Sequence, residues 1–147
     1  MDLPQPSVVL GDQLCFSLYR ASKAITARYR PMLDQLGITY PQLLVLMALW
    51  EEDDLTVREI GERVDLDGGT VSPMLKRLAA LELVTRERSL EDERLVRVRL
   101  TEAGRAMEHP ACGVSGHIID ALALDTARFA ALKRELDDLA ERVSPTV

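Results

Sequence analysis

Residues 43–50 (LLVLMALW) form the longest apolar run in the chain, and the indole of Trp50 is its only polar handle. They follow Thr39-Tyr40-Pro41-Gln42, a T-x-x-Q capping box with proline inside the first turn, so the run begins as a helix. A helix that is apolar almost all round is buried at the centre of a fold. It is far shorter than the ~20 residues a membrane span requires. The other elements must therefore be arranged around it. A chain of 147 residues is long enough for one domain with a real core. Aromatic residues make up only 4 %, so that core is built from Leu, Val, Ile and Ala, with a lean towards helix.

Upstream, residues 11–30 place Leu14, Leu18, Ala21, Ile25 and Tyr29 at helical spacing on one face. Pro31 is expected to break that helix, and Leu36-Gly37-Ile38 to turn the chain. Downstream, Thr56-Val57-Arg58-Glu59 is a second capping box, opening a short helix with Val57, Ile60 and Val64 inward. A tight connection, residues 65–69 (DLDGG), leads to another helix. Its inward positions are Val71, Met74, Leu75, Leu78 and Leu81, and its outward positions are Thr70, Ser72, Pro73, Lys76 and Arg77. Pro73 is tolerated only near a helix start, which sets the register. Residues 83–88 and 95–100 read as two strands joined by a polar tip, residues 89–94 (SLEDER). Thr101 caps a further helix, and residues 109–116 read as irregular. Phe129, Leu132, Leu136, Leu139 and Val143 then form the a/d seam of a helix pair. The predicted class is mainly α with a small β-hairpin (α+β), a winged helix-turn-helix.

A short helix, a tight turn, a second helix and a hairpin form the order of that motif, whose second helix enters the DNA major groove. Thr70, Ser72, Pro73, Lys76 and Arg77 lie on the expected reading face, and the helix's first backbone amides suit phosphate. At the wing, Arg94 suits a narrow minor groove, with Arg86, Arg88 and Asp92 completing the candidate set. The net charge of −6 argues against DNA binding by the whole surface. Between residues 76 and 99, however, Lys76, Arg77, Arg86, Arg88, Arg94, Arg97 and Arg99 outnumber Glu82, Glu87, Glu91, Asp92 and Glu93 by two. The alternative is a solvated charged hairpin with no partner.

The stretch LDGGTVSPMLKRLAALELVTRERSLEDERLVRVRLTEAG resembles the DNA-binding core of the MarR family, most distinctively in D-E-R followed by L-T-x-x-G. QLCFSLYRASKAITARYRPMLDQLGITYPQLLVLMALWE is similar to the organic-hydroperoxide-sensing branch of that family, often called OhrR, through L-C-F, Y-R-P and I-T-Y-P-Q. The resemblance implies a single MarR-type domain over residues 1–147. Residues 11–36 and 101–147 would supply dimerisation helices, and residues 39–100 the DNA-binding lobe. It implies a repressor that binds a pseudo-palindromic operator as a homodimer and leaves it when organic hydroperoxide oxidises Cys15.

Within that resemblance, Cys15 is the redox sensor, Tyr29 and Tyr40 hold its thiolate, and Cys112 is a candidate resolving thiol. Tyr19, one turn beyond Cys15, is placed to line the same pocket. The positive end of the helix dipole near Cys15 favours an anion. Cys15 and Tyr29 lie fourteen residues apart on one helix, roughly 21 Å at 1.5 Å per residue. They meet only if the tyrosine belongs to a second subunit packed antiparallel. Each of these residues has a plainer reading: Cys15 and Cys112 as small core residues, Tyr29 and Tyr40 as core phenols, Trp50 as core. His109 and His117 beside Cys112 are too few for a structural metal site. The implied partners are double-stranded operator DNA, a second copy of the chain and organic hydroperoxide. No cofactor and no membrane is expected. With no export signal visible, a cytoplasmic protein is expected, so the cysteines are not a structural staple. The rival functions are a MarR-type repressor released by a small aromatic or phenolic ligand in the dimer cleft, and a thiol-dependent peroxidase. The latter has no CxxC and no His or Arg adjacent to Cys15. A helical interaction protein that never touches DNA is a third.

Overall fold

The apolar run is the centre of α2 (Tyr40–Glu51), and both halves of its capping box form. Thr39 Oγ1 accepts from Gln42 N at 3.4 Å, and Gln42 Oε1 accepts from Thr39 N at 2.9 Å. Leu43, Val45, Leu46 and Leu49 are completely enclosed. Trp50 is half-buried, and its Nε1 donates to Gly104 O at 3.0 Å. A Cβ at Gly104 would lie 2.0 Å from Leu83 O, so this backbone approach admits glycine alone. The computed structural model describes Met1 and residues 3–145.

α1 (Leu14–Leu36) begins later and ends later than the pattern suggested, after a 3₁₀ turn over Leu10–Asp12. Pro31 does not break it. Proline removes one backbone donor, but Tyr29 and Leu33 on either side of it are buried, and that packing carries the helix through. It stops at Gly37 (φ +73°), whose N–H donates to Asp34 O while Ile38 N donates to Leu33 O.

The second capping box opens α3 (Val57–Val64), which ends at Asp65 in a left-handed conformation, φ +56°. α4 (Gly68–Ala80) follows. Gly61 is required here: a Cβ would sit 2.7 Å from Leu66 O, while Leu66 N donates to Gly61 O at 2.9 Å. α4 starts two residues before Thr70, so Pro73 lies in its second turn and not at its start as expected. The lost bond would have used the carbonyl of Gly69, an exposed residue. Leu81, expected inward, is exposed, because α4 has ended and Leu83 takes the buried place.

The expected two-stranded hairpin is part of a three-stranded antiparallel sheet in the order β1-β3-β2: β1 (Leu55–Thr56), β2 (Val84–Arg88) and β3 (Val96–Leu100). β1 was missed because two residues carry no alternation; it pairs Leu55 with Val98 and Thr56 with Arg97. Thr101 caps α5 (Glu102–Ala106) through Gly104 N. The stretch read as irregular is continuous helix, α6 (Glu108–Leu122). Pro110 falls in its first turn, where the missing donor is harmless. Ala111, Val114 and Ile118 are buried at helical spacing in spite of Gly113 and Gly116.

The chain divides into two compact units, Met1–Val114 and Ser115–Val147. The second contains the end of α6 and α7 (Thr126–Val143), whose N-terminus is capped by Asp125 through Arg128 N at 2.8 Å. Phe129, Leu132, Leu136 and Val143 are exposed and Leu139 is half-buried. No single helix among the described residues is long and apolar enough to cross a membrane.

Candidate functional site

The outward face of α4 is available as expected: Thr70, Pro73, Lys76 and Arg77 are exposed and Ser72 is half-buried. Val71, Met74, Leu75 and Leu78 hold the opposite face in the core. Of the first backbone amides of α4, that of Thr70 is taken by Asp67, which caps the helix. Asp67 Oδ1 accepts from Thr70 N at 2.9 Å, and Oδ2 accepts from the Thr70 hydroxyl at 3.1 Å. The hydroxyl proton is thereby engaged, leaving Thr70 Oγ1 to act as an acceptor.

The wing tip is built by local bonds. Ser89 Oγ accepts from Glu91 N and Asp92 N, and Asp92 Oδ1 accepts from Arg94 N at 3.0 Å and Arg94 Nε at 3.2 Å. Asp92 therefore orients Arg94, whose side chain is 91 % exposed. Arg88 is exposed and donates to Glu93 O at 3.3 Å. Arg86 differs: it is half-buried, and its Nε has no hydrogen-bond partner among the described residues. It lines a groove of about 660 Å³ between the helix pair and the wing, together with Arg58, Glu62, Ser72 and Arg94.

The base of the wing holds what sequence reasoning missed. Asp53 and Asp54 lie in the turn after α2, with Asp54 at φ +61°. Asp53 Oδ1 accepts from Leu100 N at 2.9 Å and Oδ2 from Arg105 Nη2 at 2.8 Å. Asp54 Oδ1 accepts from Arg97 Nε at 2.8 Å and Arg99 Nε at 3.0 Å. Hydrogen bonds from Arg97, then Arg99, hold the Asp54 carboxyl below the usual carboxylate range. The same contacts push both guanidiniums up, so they stay charged. The surplus of two positive charges counted along the hairpin is therefore halved in the fold by one acid from outside it, Asp54. The only sequence signal was the Asp53-Asp54 pair itself.

The two thiol candidates are both free and lie on different helices. Cys15 is the second residue of α1 and is exposed; Cys112, on α6, is exposed beside His109. Neither is a core residue of the single chain. Tyr19 is exposed, with Lys23 Nζ 5.1 Å from its ring centroid. Tyr29 and Tyr40 come together, ring centroids 4.8 Å apart at 44°. Burial first, then the neighbouring Tyr40, pushes the Tyr29 phenol up, so it remains a proton donor near neutral pH. α1 keeps Cys15 and this phenol pair roughly 21 Å apart along the helix.

A helix pair with an exposed second helix, followed by a winged sheet, defines a winged helix-turn-helix protein. The family described as transcriptional regulator SarA/Rot matches residues 27–109. The organic hydroperoxide resistance transcriptional regulator of Bacillus subtilis is 50 % identical over 110 residues, covering 75 % of each chain. Reduced AbfR bound to DNA superposes with a TM-score of 0.76 at 36 % identity, covering 92 % of this chain and 95 % of that one. Disulfide-formed AbfR gives a TM-score of 0.63 at 37 % identity, covering 91 % and 89 %; AbfR is from Staphylococcus epidermidis. The chain belongs to this MarR-like family of winged-helix transcriptional regulators, in the branch that contains the organic hydroperoxide resistance regulator.

Proposed function

We propose that the chain is a homodimeric, cytoplasmic repressor that binds a pseudo-palindromic operator and releases it when organic hydroperoxide oxidises Cys15. The observation that carries this reading is the separation along α1 of Cys15 from Tyr29, whose ring packs on Tyr40 at the start of α2. Two α1 helices packed antiparallel about a two-fold axis bring each thiol to the other subunit's phenols. The exposed Phe129, Leu132, Leu136 and Val143 stripe of α7 supports the same dimer. The protein senses rather than turns over its oxidant.

The Cys15 thiolate attacks the terminal peroxide oxygen, the O–O bond breaks, and the alkoxide leaves as alcohol on taking up a proton. Sulfur is oxidised by two electrons to sulfenic acid. Cys112 then attacks the sulfenic sulfur and water departs, giving a disulfide. Moved phenols change the spacing of the two reading helices. Thr70, Ser72, Lys76 and Arg77 lose register with the major groove, Pro73 moves with them, and Arg94 leaves the minor groove. Arg86 and Arg88 act at the wing and Asp92 through Arg94. A few kcal/mol is sufficient, since specific binding exceeds non-specific binding by only about 4–10 kcal/mol.

A second reading keeps the small aromatic ligand of the rival function but seats an anionic one in the groove beside α4 and not in the dimer cleft. The orphaned Arg86 Nε in the groove beside α4 favours it. Operator binding with and without cumene hydroperoxide, repeated on Cys15→Ser, separates the two. Release of wild type but not of Cys15→Ser is expected. Release of both overturns the sensor reading.

A further inference from the structure

The outer face of the wing is electrically balanced by a residue from another part of the chain. Strand pairing sets Arg97 opposite Glu87 and Arg99 opposite Thr85, on the face that alternates with buried Val98. Asp54 reaches that face from 43 positions upstream of Arg97. Its carboxylate takes Nε of both arginines on Oδ1 and Arg99 Nη2 on Oδ2 at 3.4 Å; its backbone carbonyl takes Arg97 Nη2. Glu87 lies 3.7 Å from Arg99 Nη1. A groove of about 440 Å³ runs along this face from Asp54 to Arg88 and Leu90 at the tip. Its charged residues cancel: Arg88, Arg97 and Arg99 against Asp54, Glu87 and Glu91. The Arg97 and Arg99 side chains are nonetheless 35 % and 50 % exposed, within reach of a polyanion once released.

We infer that Asp54 masks Arg97 and Arg99, confining the wing's grip on DNA to its tip, and is a positioning residue that sets discrimination between operator and other DNA. The inference rests on the DNA-binding reading above. Phosphate contacts carry no sequence information, and each adds to affinity for every duplex alike. Two unmasked guanidiniums at the wing base would tighten non-operator binding and shrink the ratio that makes a repressor useful. Asp54 also fixes the base of β3 to the end of α2, so the tip arginine is carried on an anchored strand.

The test is anisotropy titration of the full-length dimer on two duplexes across a series of salt concentrations. One duplex is selected from a random pool by the wild-type protein, and the other is its scrambled counterpart. Asp54→Asn should tighten scrambled-duplex binding on the order of tenfold at low salt and steepen log Kd against log salt by about one to two. Asp54→Glu should restore wild-type behaviour. Arg97→Gln/Arg99→Gln should leave the wild-type slope unchanged, because the two arginines are already occupied. A merely structural Asp54 would weaken operator binding without raising affinity for scrambled DNA. An unchanged or shallower slope for Asp54→Asn, or a slope lowered by about two in the double variant, overturns the inference. If wild type selects no sequence and shows no salt-dependent binding, the DNA reading itself fails.

Discussion

Helices α2 and α7 are both apolar enough to need a partner, yet they meet that need differently. α2 encloses Leu43, Val45, Leu46 and Leu49 within its own chain, whereas α7 buries none of its residues. The distinction lies in their patterns. α2 is apolar all round, which only a surrounding core satisfies; α7 is apolar along one seam, which a second helix satisfies. The first therefore holds the folded lobe together, and the second is left exposed as the seam that the proposed dimer would cover.

The largest expected effect tests that division directly. Leu46→Ala should cost about 2–5 kcal/mol in urea unfolding, whatever the protein concentration, because it empties an enclosed site. Leu136→Ala should instead lower the melting temperature most in dilute protein, since its loss is felt through dimer dissociation. An equal, concentration-independent loss at both sites would break the comparison.

A smaller effect separates the regions by pH. Asp54 is held below the usual carboxylate range by Arg97 and Arg99. Glu59 is held low by the backbone N–H and hydroxyl of Thr56. The folded lobe binds these protons less readily than the unfolded chain. Their contribution is therefore complete above about pH 4, where unfolded carboxylates are ionised, and is lost as pH falls through the lower folded values. Tyr29 has the opposite sign: its contribution is complete below about pH 10 and is lost as pH rises through the folded value. Amide exchange followed from neutral pH downward should show α3 and the sheet loosening before α7. Simultaneous loosening would contradict it.

The smallest effect concerns the polar side of α7. Lys133 and Asp137 pair one turn apart with both side chains largely exposed. Asp137→Asn should cost no more than about 0.5 kcal/mol by thermal unfolding. A larger loss would mean that this face too is covered.

Much of this architecture was readable from neighbouring residues. Both capping boxes, the short helix pair, the alternation of Val96, Val98 and Leu100, and the helix of α7 are local patterns, and each formed. Helix continuity was less legible. Pro31, Pro110, Gly113 and Gly116 argue for breaks by propensity, but burial of Tyr29, Leu33, Ala111 and Val114 outweighs terms of about 1–3 kcal/mol. For the site, the exposed positions of α4 and the wing tip were visible.

Periodicity and capping over a few residues are enough to specify most helices, the hairpin strands and an exposed apolar seam, because those preferences are set by near neighbours. The charge state of the wing was settled elsewhere. Half of its surplus of two positive charges was offset only when folding carried Asp54 across 43 positions to Arg97, since ion pairing depends on distance in space and not along the chain.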